Sequence, residues 1–216
     1  MPANKILFAD YQNFPKPKLV YLDANFAVDL LYYEINHATN PSALRQRELD
    51  CFAFYQQLKQ DGVGLVGSVF TFSETLQLYA FSYPNGMYHL TDQFLTARGL
   101  GHIMAKPRHE RFKFFLKNFP ADCEAAWRSI SYRVGATEEF FDNYGIRLIH
   151  PLPSPQLTNI TKNVVNFASV LMDFFVAIEA TDSLHLSLAT YLRTDAVVSL
   201  DSGFCTVDNF TVYAHT

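Results

Sequence analysis

Cysteine is scarce in this chain, and what there is does not pair. Cys51, Cys123 and Cys205 are odd in number and scattered, with no CxxC among them. That usage argues against a disulfide framework and a zinc knuckle, and it fits a reducing compartment. Long apolar runs are missing as well: no stretch of about 18 apolar residues occurs, so no membrane span is expected. The opening MPANKILFADYQNF is too short and too polar for a secretory signal, which makes a cytoplasmic location the expectation. Nine glycines are present, but none forms GxGxxG or GxxxxGK[ST], so dinucleotide and P-loop readings fail. Charged residues make up only 18% of the chain and the net charge is −4, so nothing global announces a polyanionic partner.

What is present is apolar residue, 49% of 216, enough for one well-packed domain over 1–216. The charge is uneven. Arg98 to Lys117 holds six Lys/Arg against the single acid Glu110, while the remainder carries 11 bases and 20 acids. Phe112, Phe114, Phe115 and Phe119 interleave with those bases.

Residues 1–17, ending in Pro15-Lys16-Pro17, read as an irregular lead-in. Leu19 to Leu22 reads as a strand that Asp23 terminates, followed by a helix from Ala24 to Asn36. Ser42 is expected to cap a second helix running to about Gln60. Val63 to Phe70 reads as a second strand and Phe72 to Phe81 as a third helix, with Thr71-Phe72-Ser73-Glu74 forming a capping box. Residues 82–145 read as a helical insertion, including a helix from Ala121 to Arg133. Ile146 to His150 is a third strand, and Asn163 to Glu179 a long apolar helix. Leu184, Leu188, Ala189 and Leu192 recur at helical spacing. Ala196 to Leu200 is a short β-branched run, as a buried strand has, and Phe210 to Tyr213 is the last strand. Strands alternating with helices predict an α/β fold with a mainly parallel sheet.

Four acids fall at equivalent places: Asp23 and Asp201 end strands, Glu74 and Asp182 start helices. In an open parallel sheet these places face one crevice outside the carboxyl ends of the strands. Clustered carboxylates repel one another, and a hard cation such as Mg²⁺ or Mn²⁺ resolves this. Each acid also has a purely structural reading: Asp23 ends a strand, Glu74 belongs to the capping box, Asp182 favours the helix dipole, and Asp201-Ser202-Gly203 makes a turn. Asp208, near the same end, reads as a turn residue. His185 lies one turn after Asp182, either packed as a neutral imidazole or within reach of a metal. His102, His109 and His150 show no ligand spacing.

The ordered set of motifs resembles the PIN domain, a family of small metal-dependent ribonucleases. The first motif is Val20-Tyr21-Leu22-Asp23-Ala24-Asn25; the second runs from Ser68 to Leu78 with Glu74 as its acid. The third is Ala180-Thr181-Asp182-Ser183-Leu184-His185-Leu186, and the fourth Val198 to Phe204 with Asp201. The resemblance covers about 18–81 and 146–214; the insertion at about 82–145 departs from the compact family pattern. It implies a three-layer α/β/α fold with a mainly parallel central sheet. It also implies an Mg²⁺- or Mn²⁺-dependent endoribonuclease acting on single-stranded RNA, with Asp23, Glu74, Asp182 and Asp201 as metal-holding catalytic acids. Asn25 and Ser199 match supporting polar positions. An antitoxin-type protein partner and a homodimer are compatible with the family, as is a housekeeping role. Within the insertion, Arg108, Arg111 and Lys113 are the candidate RNA contacts; the alternative is a solvated helix whose Phe112, Phe115 and Phe119 pack on the core. Competing functions are a PIN-like RNA- or protein-binding module without turnover and a phosphohydrolase of small esters. A haloacid-dehalogenase-type phosphatase wants D-x-D after the first strand, and Asn25 stands in place of its second Asp.

Overall fold

The computed structural model describes residues 4–149, 180–207 and 210–215. Among them, six strands form one parallel sheet in the order β1-β6-β5-β2-β3-β4. The strands are β1 Asn4–Leu7, β2 Leu19–Leu22, β3 Gly64–Ser68, β4 Ile146–Ile149, β5 Ala196–Val198 and β6 Thr211–Ala214. The helices are α1 Ala24–Thr39, α2 Gln46–Gln60, α3 Val69–Gln77, α4 Met87–Ala97, α5 Gly101–Met104, α6 Arg108–Asn118, α7 Pro120–Ile130, α8 Tyr132–Asn143 and α9 Ala180–Tyr191. No helix among the described residues is long and apolar enough to cross a membrane.

The chain divides into two compact units: 1–73 with 141–216, and 74–140. The division falls inside α3 and α8, each of which is continuous across it. In the first unit the central strand β2 pairs in parallel with β3 on one side and β5 on the other, Tyr21 standing opposite Val66 and Val197. Val20, Tyr21 and Leu22 are all fully buried. Since neighbouring side chains on a strand point to opposite faces, the sheet is covered on both. Leu186 and Ala189 of α9 join Tyr21, Val66, Val197 and Val212 in one apolar cluster. Phe8, Phe26 and Phe54 form another group, with Phe8 stacked on Phe54 at 4.1 Å.

The second unit has its own core of Met87, Phe115, Cys123 and Ile130. Phe94, Phe112, Phe119 and Trp127 pack against it. The packing reading of Phe112, Phe115 and Phe119 therefore holds.

Several local expectations are corrected. Residues 4–7 are not an irregular lead-in but the edge strand β1, paired from Asn4↔Thr211 to Leu7↔Ala214. The second strand stops at Ser68, because Ser68 Oγ accepts from Phe70 N at 3.1 Å and Thr71 N at 3.3 Å and so starts α3 there. Thr71 consequently lies within α3 instead of capping it; its hydroxyl donates to Leu22 O at 3.1 Å. The second helix starts at Gln46, not Ser42. Pro41–Ala43 is a 3-10 turn, and Arg45 N donates to Glu48 Oε2 at 3.0 Å across the first turn of α2. The expected helix at Asn163 to Glu179, together with His150 and Asp208, lies outside the described residues.

Candidate metal centre at the sheet edge

The strand pattern decides where the first acid goes. β2 is fully apolar apart from the Tyr21 hydroxyl, and the polar residue that follows it, Asp23, emerges at its carboxyl end. Asp23 is only 2% exposed. Its backbone N donates to Val198 O at 3.0 Å, which ties it to the end of β5. It stands at the N-cap position of α1 but makes no side-chain cap bond, so the carboxylate is directed elsewhere. Ser199, the residue after β5 and fully buried, donates its hydroxyl to Asp23 Oδ2 at 2.9 Å.

α9 brings His185 to the same place. Its Nε2 lies 3.8 Å from Asp23 Oδ1, and its Nδ1 lies 2.7 Å from the Tyr21 hydroxyl. Tyr21 donates its one proton to Ser68 Oγ at 2.7 Å, so toward His185 the phenol oxygen accepts and Nδ1 carries the hydrogen. With the hydrogen on Nδ1 committed to Tyr21, Nε2 is the ring nitrogen that faces Asp23. A proton or a cation can be shared between Nε2 and the Asp23 carboxylate across that distance. A histidine fixed through one nitrogen by a buried partner is the arrangement that orients an imidazole as a metal ligand.

Glu74 is carried by α3. It lies three residues after Thr71, on the same helix face, and Thr71 is anchored to the end of β2 through Leu22 O. Although Glu74 is the first residue beyond the sheet unit, the helix that bears it begins within that unit. Asp23, Glu74 and His185 each offer a ligand atom, and these atoms all lie within 4.8 Å of one another. Carboxylate oxygens with one imidazole nitrogen suit a divalent ion of the Mn²⁺ type and accept Mg²⁺ less readily.

Asp182 and Asp201 are outside that group of three. Asp182 is half-buried on α9, one turn before His185 and on the same helix face. Asp201 is half-buried and caps the short 3-10 turn Ser202–Thr206, its Oδ1 accepting from Gly203 N at 2.7 Å. Its own N donates to Ser199 Oγ at 3.0 Å, so Asp201 connects to Asp23 through one hydroxyl. Asn25, the second residue of α1, is exposed.

In the helical unit, Arg108 and Lys113 are exposed on α6, but Arg111 is not available in the way its sequence neighbours suggest. Its side chain is 12% exposed and grips Asp92 with Nε and Nη2, both at 2.7 Å. Its Nη1 donates to Lys106 O at 2.7 Å and Met104 O at 3.2 Å. Arg111 is a structural clamp between α4 and the turn before α6.

The sequence placed Tyr21 and Ser68 in the motifs and Thr71 in a capping box, but gave their hydroxyls no part in the site. Their signal was a hydroxyl in or just after an otherwise apolar strand, a place where a polar atom must find a partner. Comparison with protein-family models, with curated proteins and with solved structures gave no match.

Proposed function

We propose that this protein is a metal-dependent phosphodiester hydrolase of PIN type, with the three-layer α/β/α arrangement of that family, acting on single-stranded RNA. The observation that carries the reading is the convergence of Asp23, Glu74 and His185 at the carboxyl edge of a parallel sheet. That edge, where the strand order departs in both directions from β2, is where open α/β folds bind ligands. The residues present fit a divalent cation: the buried Asp23 carboxylate needs compensation, and the Tyr21 contact holds His185 with its Nε2 toward it. Asp23, Glu74 and His185 would hold Mn²⁺ or Mg²⁺; Asp182, on the same helix face as His185, and Asp201, joined to Asp23 through the Ser199 hydroxyl, would support them. When bound, such an ion lowers the pKa of a water and offsets charge on a phosphoryl group.

The chain's own residues do the rest. Ser199 fixes the Asp23 carboxylate by donating to one oxygen and leaves the other toward His185. Tyr21 and Ser68 hold the imidazole ring in one tautomer. Asn25, exposed at the first turn of α1, would donate to a substrate phosphate.

Activity should be seen on a fluorescent single-stranded RNA, vanish in EDTA and return with Mn²⁺. Asp23→Asn should abolish it. Cleavage undiminished in chelator, or in Asp23→Asn, would rule the reading out. A second reading, a binding module without turnover, draws support from the turn that occupies Asp201. It predicts metal and RNA binding with no cleavage.

A further inference from the structure

The helical unit carries a second feature that the metal site does not use. Of the bases between Arg98 and Lys117, two are committed to the unit's own packing. Arg111 is clamped by Asp92, and the Arg98 guanidinium lies over the rings of Phe94 at 5.0 Å and Phe119 at 5.7 Å. Besides Arg108, the three lysines Lys106, Lys113 and Lys117 are exposed. They line one open groove together with Glu110, Phe114 and Asn118. Lys113 and Lys117 are one helical turn apart on the same face of α6. The groove's aromatic member, Phe114, is half-buried, its ring centroid 6.3 Å from that of Phe119, so it is propped from behind while its outer face lines the groove.

We infer that this groove binds single-stranded nucleic acid, with phosphates on Lys106, Lys113 and Lys117 and a base stacked on Phe114. The occupant follows from charge and shape. Three ammonium groups against one carboxylate in an otherwise acidic chain select a polyanion. A ring set among those lysines offers a base a stacking platform, the pairing that grips single strands without sequence preference. A duplex keeps its bases stacked inside and has no use for Phe114. An acidic protein surface would use the lysines but not the ring. The grip is a matter of binding and holds whether or not the sheet-edge site turns over.

The test is fluorescence anisotropy with labelled 12-mer oligouridylate and oligodeoxythymidylate in EDTA, which silences the metal site. Replacing Lys106, Lys113 and Lys117 together by alanine should flatten the log–log salt dependence by about two units, at roughly 0.7 per phosphate on a single strand. All three side chains are exposed, and the Arg111 bond to residue 106 uses its backbone carbonyl, so the fold is retained. Phe114→Ala should weaken binding about 5- to 150-fold at constant salt slope. Leu116→Ser, an exposed neighbour on α6 outside the groove, should change nothing. An unchanged affinity and salt slope in the triple-lysine variant overturns the inference. So does a loss of binding in Leu116→Ser with none in Phe114→Ala, which would put the nucleic acid on another face of α6. Loss of Mn²⁺ response in Asp23→Asn with groove binding intact would bear on the metal site alone.

Discussion

Two buried acids, Asp23 at the N-cap of α1 and Asp29 within it, are compensated in different ways. Asp29, fully buried in the second turn of α1, is held by arginines from and beside α2: Arg47, through an ion pair and a 2.9 Å hydrogen bond, and Arg45 at 3.4 Å. Arg45 also pairs with the buried Glu48 at 2.6 Å. Asp23, at the start of the same helix, meets a serine hydroxyl and an imidazole, with Glu74 nearby. One seam brings its own cations and is a joint between helices. The other gathers carboxylate and imidazole groups, and on the reading proposed above its cation would come from outside. The lesson is that buried charge by itself does not mark a site; what stands opposite it does.

The largest effect is expected at the arginine seam. Replacing Arg45 and Arg47 together by alanine leaves Asp29 and Glu48 buried without those cations and should cost about 3–5 kcal/mol. Urea unfolding would measure it, and the Mn²⁺ response of whatever remains folded should be unaltered. A loss below about 1 kcal/mol would mean the seam is not the structural joint described.

Arg111→Ala comes next. It removes a two-pronged bond to Asp92 and two carbonyl contacts in the helical unit. The expected cost is about 2–3 kcal/mol, again with no change in the metal response. The same substitution leaving stability untouched would return Arg111 to the set of surface bases.

Ser199→Ala sharpens the other side of the comparison. It should cost only about 1–2 kcal/mol in stability yet weaken Mn²⁺ affinity about 10- to 100-fold, because it removes the group that orients the Asp23 carboxylate. Isothermal titration with Mn²⁺ reads the second quantity. Equal affinity in the variant would show that Ser199 is only part of the packing.

A third acid supplies the smallest effect. Asp50 is 38% exposed at its side chain, and its carboxyl is held below the usual range by His215 at 2.7 Å and then by Gln46. A lowered folded pKa adds stability above the ordinary carboxylate value, near 3.9, and loses it as pH falls through the lowered value. Asp50→Asn should therefore remove a few tenths of a kcal/mol at neutral pH and progressively less as pH falls through the lowered value. Thermal melts across that range would detect the difference, and an effect that grows toward acid would reverse the assignment.

Much of this arrangement was legible in the residues. The run Leu19 to Leu22 ending in Asp23, and the short β-branched run at Ala196, gave the central pair of strands, and the end of the first gave Asp23; Ser199 was read inside the second strand, which stops at Val198, and was singled out only by the family resemblance. β1 was missed because Asn4–Leu7 pairs with Thr211–Ala214 at the far end of the chain, and no local pattern encodes such a partner. The start of α3 was misplaced because Ser68 and Thr71 are both competent caps, and only the fold decides that Ser68 takes the backbone amides while Thr71 reaches Leu22. Arg111 looked like its basic neighbours, since charge alone does not show that Asp92, nineteen positions earlier, stands opposite it. The role of His185 was open for a similar reason: the ring is both fully buried and among the candidate ligands, and spacing along one helix cannot separate those outcomes.

The most direct test of the account is the melting temperature of the apoprotein against Mn²⁺ concentration, for the parent chain, Asp23→Asn and His185→Gln. A site held by Asp23, Glu74 and His185 predicts that Mn²⁺ raises the parent's stability by mass action, by about 2.7 kcal/mol at a hundred times the dissociation constant. Both variants should remain folded and lose most of that gain, Asp23→Asn the more. A parent melting temperature indifferent to millimolar Mn²⁺, or a gain that survives intact in both variants, would contradict the existence of this metal centre.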